Sequence, residues 1–82
     1  MLVVTYDQEK VDEVVLALLT LTMFQDGPDF RAWKGHDWVT MDRLHEQGYI
    51  SDPKSKAKSV CLSPEGVEKA KELFAQHFGG DA

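Results

Sequence analysis

The chain has 82 residues, 43% hydrophobic and 28% charged, which is an ordinary composition for one small globular domain. Its formal net charge of -5 argues against a strongly basic nucleic-acid protein, and its single cysteine, Cys61, excludes an internal disulfide. The N-terminus lacks the pattern of a secretory signal, and the longest apolar run is too short to cross a bilayer. We therefore expect a cytoplasmic protein without membrane association.

Charge is distributed unevenly along the chain. Between Arg31 and Lys58 there are six Lys or Arg residues and four Asp or Glu residues, a local net charge of +2. The remaining residues include three Lys and ten Asp or Glu, a local net charge of -7. The middle of the chain is therefore basic and its flanks are acidic.

The first predicted helix runs from Asp7 to about Phe24, and a Gly-Pro pair breaks it shortly afterwards. The preceding residues 2–6, LVVTY, are β-prone and form either a short strand or a lead-in. From Val14 onward, VVLALLTLTMF places apolar side chains on every side of the helix. This is either the central core helix or a helix whose uncovered face forms a homodimer interface. The candidate interface residues are Val14, Leu18, Leu21 and Phe24.

Two short helices are predicted in the middle of the chain. The segment DFRAWKG, residues 29–35, has an Asp at the N-cap position, two aromatic residues three apart and a Gly at its end. The second helix, Trp38 to Gln47, has Asp37 as its N-cap and Gly48 as the residue that ends it. Together they predict a helix-turn-helix with a glycine in the turn.

A two-stranded hairpin and a last helix complete the predicted fold. The strands, residues 49–51 and 59–62, pair near Ile50 and Val60, point Ile50, Val60 and Leu62 to the core, and carry lysines at the tip. Ser63 caps the last helix, with Pro64 at its first position. The fold class is therefore mainly α with a small β-ribbon, a winged helix-turn-helix of three to four helices plus a two-stranded wing. We expect residues 1–82 to form a single domain and an entire gene product with a frayed tail at 79–82.

The stretch LHEQGYI, the lysine-containing loop and VCLSPEG together resemble the recognition helix, wing and following helix of bacterial winged-helix regulators such as the MarR and PadR families. In those families Leu-x-x-x-Gly-(Leu/Tyr)-Ile leads into the wing and Leu-(Ser/Thr)-x-x-Gly leads out, and the matching residues are Leu44, Gly48, Tyr49, Ile50, Leu62, Ser63 and Gly66. With RAWKGHDW and VVLALLTLTMF included, nearly the whole chain also resembles a small family of uncharacterised bacterial proteins. The first resemblance implies a dimeric DNA-binding transcriptional regulator, and the second implies architecture without an assigned activity. The chain departs from the regulators in having a very short second helix, no separate effector domain and one outward basic residue on the recognition helix.

Double-stranded DNA is the first candidate partner. Thr40, Arg43 and Gln47 would meet base edges in the major groove, where Arg pairs with guanine and Gln with adenine. Glu46 would point into the same groove and repel phosphate. The lysines have an alternative use as a solubility device that protects strand edges. The candidate phosphate contacts are Arg31, Lys34, Lys54, Lys56 and Lys58.

A protein–protein interaction or assembly module is the competing class, in which Trp33 and Trp38 either anchor a partner or fill the core. An enzyme is the weakest option, because the three His residues show no metal-ligand spacing with each other or with Cys61. The chain also lacks the Gly-Lys-Ser/Thr ending of a phosphate-binding loop. We therefore expect no enzyme activity, metal or cofactor.

Overall fold

A computed structural model of the chain describes residues 5–80, which form three helices and a three-stranded antiparallel sheet. The sheet order is β1-β2-β3. No helix within these residues has the length and apolar character that crossing a membrane requires. Most of the predicted lead-in strand and the last two residues of the predicted frayed tail lie outside the described range. The elements are α1 (Gln8–Thr22), β1 (Phe24–Asp26), β2 (Asp29–Trp33), α2 (Trp38–Glu46), β3 (Ser59–Leu62) and α3 (Pro64–Phe78).

The helices begin at residues that the sequence predicts. The side chains of Asp7, Asp37 and Ser63 each accept a hydrogen bond from a backbone N–H two or three residues further on. These bonds satisfy amides that have no partner inside the helix. Pro64 occupies the first turn of α3, and Gly48 follows α2 with a φ of 83°. The predicted caps and the glycine stop are therefore confirmed.

The core lies between the helices and one face of the sheet. The predicted inward positions Ile50, Val60 and Leu62 are all buried, which confirms them. Helix α1 packs along α3 and also contacts α2 and β2. This single layer of helices leaves the other face of the sheet towards solvent. The buried apolar residues are Leu16, Ala17, Leu19, Ala32, Met41, Leu44, Ile50, Val60, Leu62, Ala70 and Leu73.

The helix predicted at residues 29–35 is wrong, because residues 29–33 form the central strand β2. The Gly-Pro pair breaks the chain as expected, but as a two-residue hairpin turn with Gly27 at a φ of 61°. Phe24, predicted inside the first helix, consequently lies in β1. A three-residue spacing of Phe30 and Trp33 fits a helix face, but here they point to opposite sides of a strand. The predicted helix-turn-helix is therefore absent from residues 5–80.

Of the predicted two-stranded wing, the structure contains β3 and a single bridge from the first predicted strand. Ile50 pairs with Leu62 in an isolated bridge rather than with Val60, and the Ser51 N–H donates to the Cys61 carbonyl at 2.8 Å. The second wing strand, β3, pairs mainly with β2. The order of α2, bridge, loop, β3 and α3 is compatible with a winged helix, within a compact mixed α/β fold.

We predict that Gly66→Ala destabilises the protein by roughly 1–3 kcal/mol, the usual cost of overpacking a tight contact. A Cβ at Gly66 would overlap the backbone carbonyl oxygen of Tyr49. This close approach holds the first turn of α3 against the residues that follow α2. Urea unfolding measures the difference. Gly80→Ala, where a Cβ meets open space, is the control and should stay within about 0.5 kcal/mol of the wild type. Equal stabilities for the two variants would contradict the close approach.

Candidate functional site

An ion pair between α1 and α2 lies at the centre of the candidate site. The Arg43 Nη2 atom is 2.7 Å from Asp12 Oδ1, and its Nε atom is 2.9 Å from both carboxylate oxygens. Asp12 is only 5% exposed. A buried carboxylate needs a charged or hydrogen-bonding partner, and Arg43 is the only Lys or Arg in α2. The guanidinium is therefore held against α1.

The ion pair continues into the first turn of α2. Arg43 Nη2 also lies 3.3 Å from the Thr40 hydroxyl, which donates to Asp37 Oδ2 at 2.8 Å. Hydrogen bonds from the Thr40 hydroxyl and backbone N–H lower the pKa of Asp37, and the hydrogen bond to Asp12 raises the pKa of Arg43. Asp12, Arg43, Thr40 and Asp37 thus form one polar network, called here the Asp12–Asp37 network.

Two of the three predicted base-reading residues do not face outward. Thr40 is 1% exposed, and Arg43 is occupied by Asp12, so their predicted outward orientation is wrong. Arg43 points towards α1 because it binds the carboxylate of Asp12, 31 residues earlier, and the buried Thr40 hydroxyl donates to Asp37. Gln47 is exposed as predicted, at the C-cap of α2. The sequence signal that could have found the pair is Asp12, a charged residue two positions before the apolar run that begins at Val14 in α1.

The solvent-facing side of α2 is apolar and acidic. Trp38 is 65% exposed and Val39 is 60% exposed. Glu46 is exposed, Asp42 is half-buried, and exposed His45 places Nδ1 2.9 Å from the Ile50 carbonyl oxygen. This surface, called here the α2 outer surface, consists of Trp38, Val39, Asp42, His45 and Glu46. It contains no Lys or Arg.

The predicted phosphate-contacting residues divide into two groups. Lys54, Lys56 and Lys58 are exposed on residues 52–58, called here the lysine loop, as predicted for the hairpin tip. Lys34 instead donates from Nζ to the backbone carbonyls of two residues in this loop, Pro53 and Ser55. Arg31 donates from Nε to the Ser59 hydroxyl at 2.8 Å and from Nη2 to the Ser59 carbonyl at 2.9 Å. Only the three lysines of the lysine loop therefore remain extended into solvent.

The four predicted dimer residues differ in their exposure to solvent. Val14 and Leu18 are half-buried on α1, whereas Leu21 is 67% exposed and Phe24 is 49% exposed. Phe24 lies on β1 rather than α1. The apolar surface available for association therefore shifts from the middle of α1 towards its end and the sheet.

The described residues form clefts at two places on the surface. One, of about 270 Å³, opens between the three helices beside Glu9, Glu13 and Lys69. The other, of about 340 Å³, is mainly apolar and lies between the β1–β2 turn and the start of α3. Residues 5–80 contain no group of three His, Cys, Asp or Glu side chains placed to hold a metal ion. Partial burial lowers the pKa of His36, which lies in the loop before α2 and lines neither cleft.

Comparison with known proteins gives a family but no activity. The family described as "Domain of unknown function (DUF6429)" matches residues 7–80. The "Uncharacterized protein y4hR" of Sinorhizobium fredii is 50% identical to this chain over 72 residues, which cover 88% of this chain and 93% of that protein. No solved structure matches the chain. The predicted resemblance to an uncharacterised bacterial family is therefore supported, and no MarR or PadR family is indicated.

We predict that Arg43→Met destabilises the protein more than the double variant Asp12→Leu, Arg43→Met. The single change leaves the buried Asp12 carboxylate without its partner, whereas the double change removes both charges. Urea unfolding of the wild type, both single variants and the double variant at pH 7 gives the coupling. Glu46→Gln on the exposed side of α2 is the control. An Arg43→Met effect no larger than that of Glu46→Gln would contradict the importance of the pair.

We predict that the stability gap between the wild type and Asp37→Ala closes as the solution becomes acidic. The folded-state pKa of Asp37 is lowered, so its stabilisation is complete above the unfolded-state pKa of about 4 and is lost as pH falls through the folded-state pKa. Unfolding free energies measured from pH 7 to pH 2 test this. The matched control Asp37→Asn keeps a capping oxygen that does not titrate. A stability difference between the wild type and Asp37→Ala that is the same at every pH would contradict the hydrogen bonds from Thr40 to Asp37.

Proposed function

The chain belongs to the family described as a domain of unknown function, DUF6429, and from its surface geometry we propose that it is a non-catalytic protein-docking module that presents the α2 outer surface to a partner protein. The observation that carries this proposal is the occupation of Arg43 by Asp12. That contact leaves the outward side of α2 without a cation, and the same side exposes the apolar side chains of Trp38 and Val39.

The same observation weighs against reading of DNA bases by α2. An arginine that reads guanine must extend two donors to the base edge, but Nε and Nη2 of Arg43 already donate to Asp12. Asp42 and Glu46 on the same side of the helix would meet the phosphates with like charge. The helix that a winged-helix regulator would place in the major groove is thus electrostatically unsuited to it.

The α2 outer surface suits a protein partner. Trp38 and Val39 are adjacent and together offer a compact apolar patch at the start of the helix. Tryptophan is enriched among the residues that dominate binding energy in protein interfaces. The carboxylates of Asp42 and Glu46 border this patch, which favours a partner whose apolar pocket is flanked by Lys or Arg. Isolated exposed apolar residues are common, so the proposal depends on the pair together with its acidic border.

The lysine loop supports a second candidate function, sequence-independent contact with nucleic-acid phosphates. Lys34 fixes the loop backbone through Pro53 and Ser55, and Lys54, Lys56 and Lys58 extend from it. Lysines can position a protein on phosphates without reading a sequence. The overall charge of -5 opposes such binding, which makes it the weaker candidate.

We predict that the protein shows no preference among duplex DNAs of different sequence. Any binding at low salt should weaken when Lys54, Lys56 and Lys58 are all replaced by Ala, and the log-log salt slope of the remaining binding should be shallower by up to about three units. Titration of labelled duplexes at low and physiological salt measures both quantities. A preference for one base pair that disappears in Arg43→Ala would contradict the proposal, since it requires a free guanidinium.

We predict that a photo-crosslinking amino acid at Trp38 captures a discrete partner protein in cells that express the chain. The same amino acid at Gln76, an exposed position on α3, is the matched control. The adduct should disappear when Val39→Glu is added, because a buried charge opposes docking of the apolar patch. Equal labelling from positions 38 and 76, or an adduct indifferent to Val39→Glu, would count against the α2 outer surface as the docking site.

A further inference from the structure

The three-stranded sheet has a second face that no helix covers. Residues directly opposite each other, and residues two apart on one strand, share a face. The register pairs Phe24 with Arg31, Arg31 with Cys61, and Trp33 with Ser59. These residues therefore face away from the core residues Ala32 and Val60. The outer sheet face consists of Phe24, Asp26, Asp29, Arg31, Trp33, Ser59 and Cys61.

The outer sheet face carries two exposed aromatic side chains, one on the edge strand β1 and one at the end of β2. Trp33 is 50% exposed and Phe24 is 49% exposed. The solvent face of an antiparallel sheet is normally polar, so two large aromatic side chains there indicate a surface for association. Arg31 lies between them in the register and leans towards Ser59, to which it donates two hydrogen bonds.

The two ends of the outer sheet face carry opposite charge. Asp26 and Asp29 lie directly opposite each other at the β1–β2 turn. At the other end of β2, the Lys34 N–H donates to the Lys58 carbonyl at 3.2 Å, which places the lysine loop beyond Trp33. Five strand residues separate the ends by about 16 Å. Carboxylates directly opposite each other are destabilising, and a cation from a partner would relieve them.

We propose that the outer sheet face binds the same face of a second copy of this chain, with the two sheets reversed so that each acidic turn covers the other's lysine loop. A two-fold contact must be complementary to itself. A two-fold axis across the strands places the acidic turn of each copy over the lysine loop of the other. An axis along the strands would instead place the two acidic turns together. Charge therefore selects the reversed arrangement. This surface is separate from the α2 outer surface.

The size of the face determines the strength of the contact. Three strands about 4.8 Å apart and five residues long cover on the order of 240 Å². Stable complexes bury about 800 Å² on each partner, so the turn and the lysine loop must take part in the interface. The dimer should accordingly be weak, depend on protein concentration and lose affinity as salt is added.

A charge-exchange experiment tests this arrangement. In a turn variant, Asp26 and Asp29 are both replaced by Lys; in a loop variant, Lys56 and Lys58 are both replaced by Glu. In a homodimer of either variant, like charges face each other at both ends. The association constant of that homodimer should therefore fall at least about tenfold. An equimolar mixture should recover association, because a heterodimer pairs opposite charges at both ends. Sedimentation velocity at low salt, from micromolar to millimolar protein, measures each case.

Controls separate this arrangement from a general effect of charge and from the docking function. Glu68→Lys with Glu72→Lys on α3 changes the net charge as much as the turn variant does and should leave association unchanged. Val39→Glu should also leave it unchanged, so the two proposals can fail independently. A wild type that stays monomeric at millimolar concentration, a mixture that does not recover, or an α3 control that dissociates equally would each overturn the inference. Circular dichroism of each variant verifies folding.

Discussion

The ion pair between Asp12 and Arg43 connects the two helices on which the rest of the structure depends. Helix α2 has only nine residues, and a helix this short gains little stability by itself. Its position is set by its cap at Asp37, by buried Met41 and Leu44, and by the guanidinium held on α1. A carboxylate as buried as that of Asp12 would be costly without this partner, so the contact constrains α1 as much as α2.

The proposed choice of partner also rests on this contact. A guanidinium committed to a buried carboxylate cannot also extend into a DNA groove, and α2 has no second cation to replace it. What remains on the outside is an apolar pair at Trp38 and Val39 with an acidic border. On the opposite side of β2 from the core, Phe24 and Trp33 form a second exposed apolar region. These two exposed surfaces are the basis of the proposals that the domain docks on a partner protein and on a second copy of itself.

Local signals were sufficient for the parts of the fold determined by neighbouring residues. Caps, the glycine stop after α2 and the exposed lysine loop depend on short-range chemistry, and each was predictable. The sequence does not reveal the strand at residues 29–33, because the spacing of its aromatic residues also fits a helix and one of its two partner strands, β3, is about 30 residues away in the chain. Arg43 was missed for the same reason, since its partner lies 31 residues earlier. The periodicity of a sequence predicts on which face of a helix a side chain lies. Which other element packs against that face depends on the tertiary fold.

The Arg43 Nε–H resonance in a nitrogen-edited NMR spectrum tests the central role of this ion pair most directly. A guanidinium bound to a buried carboxylate exchanges its protons with water slowly. The structure predicts that the Arg43 Nε–H signal persists at neutral pH, disappears in Asp12→Leu and does not move when duplex DNA is added at low salt. An Arg43 signal that exchanges as fast as those of exposed arginine side chains, or that shifts on addition of duplex DNA, would contradict it.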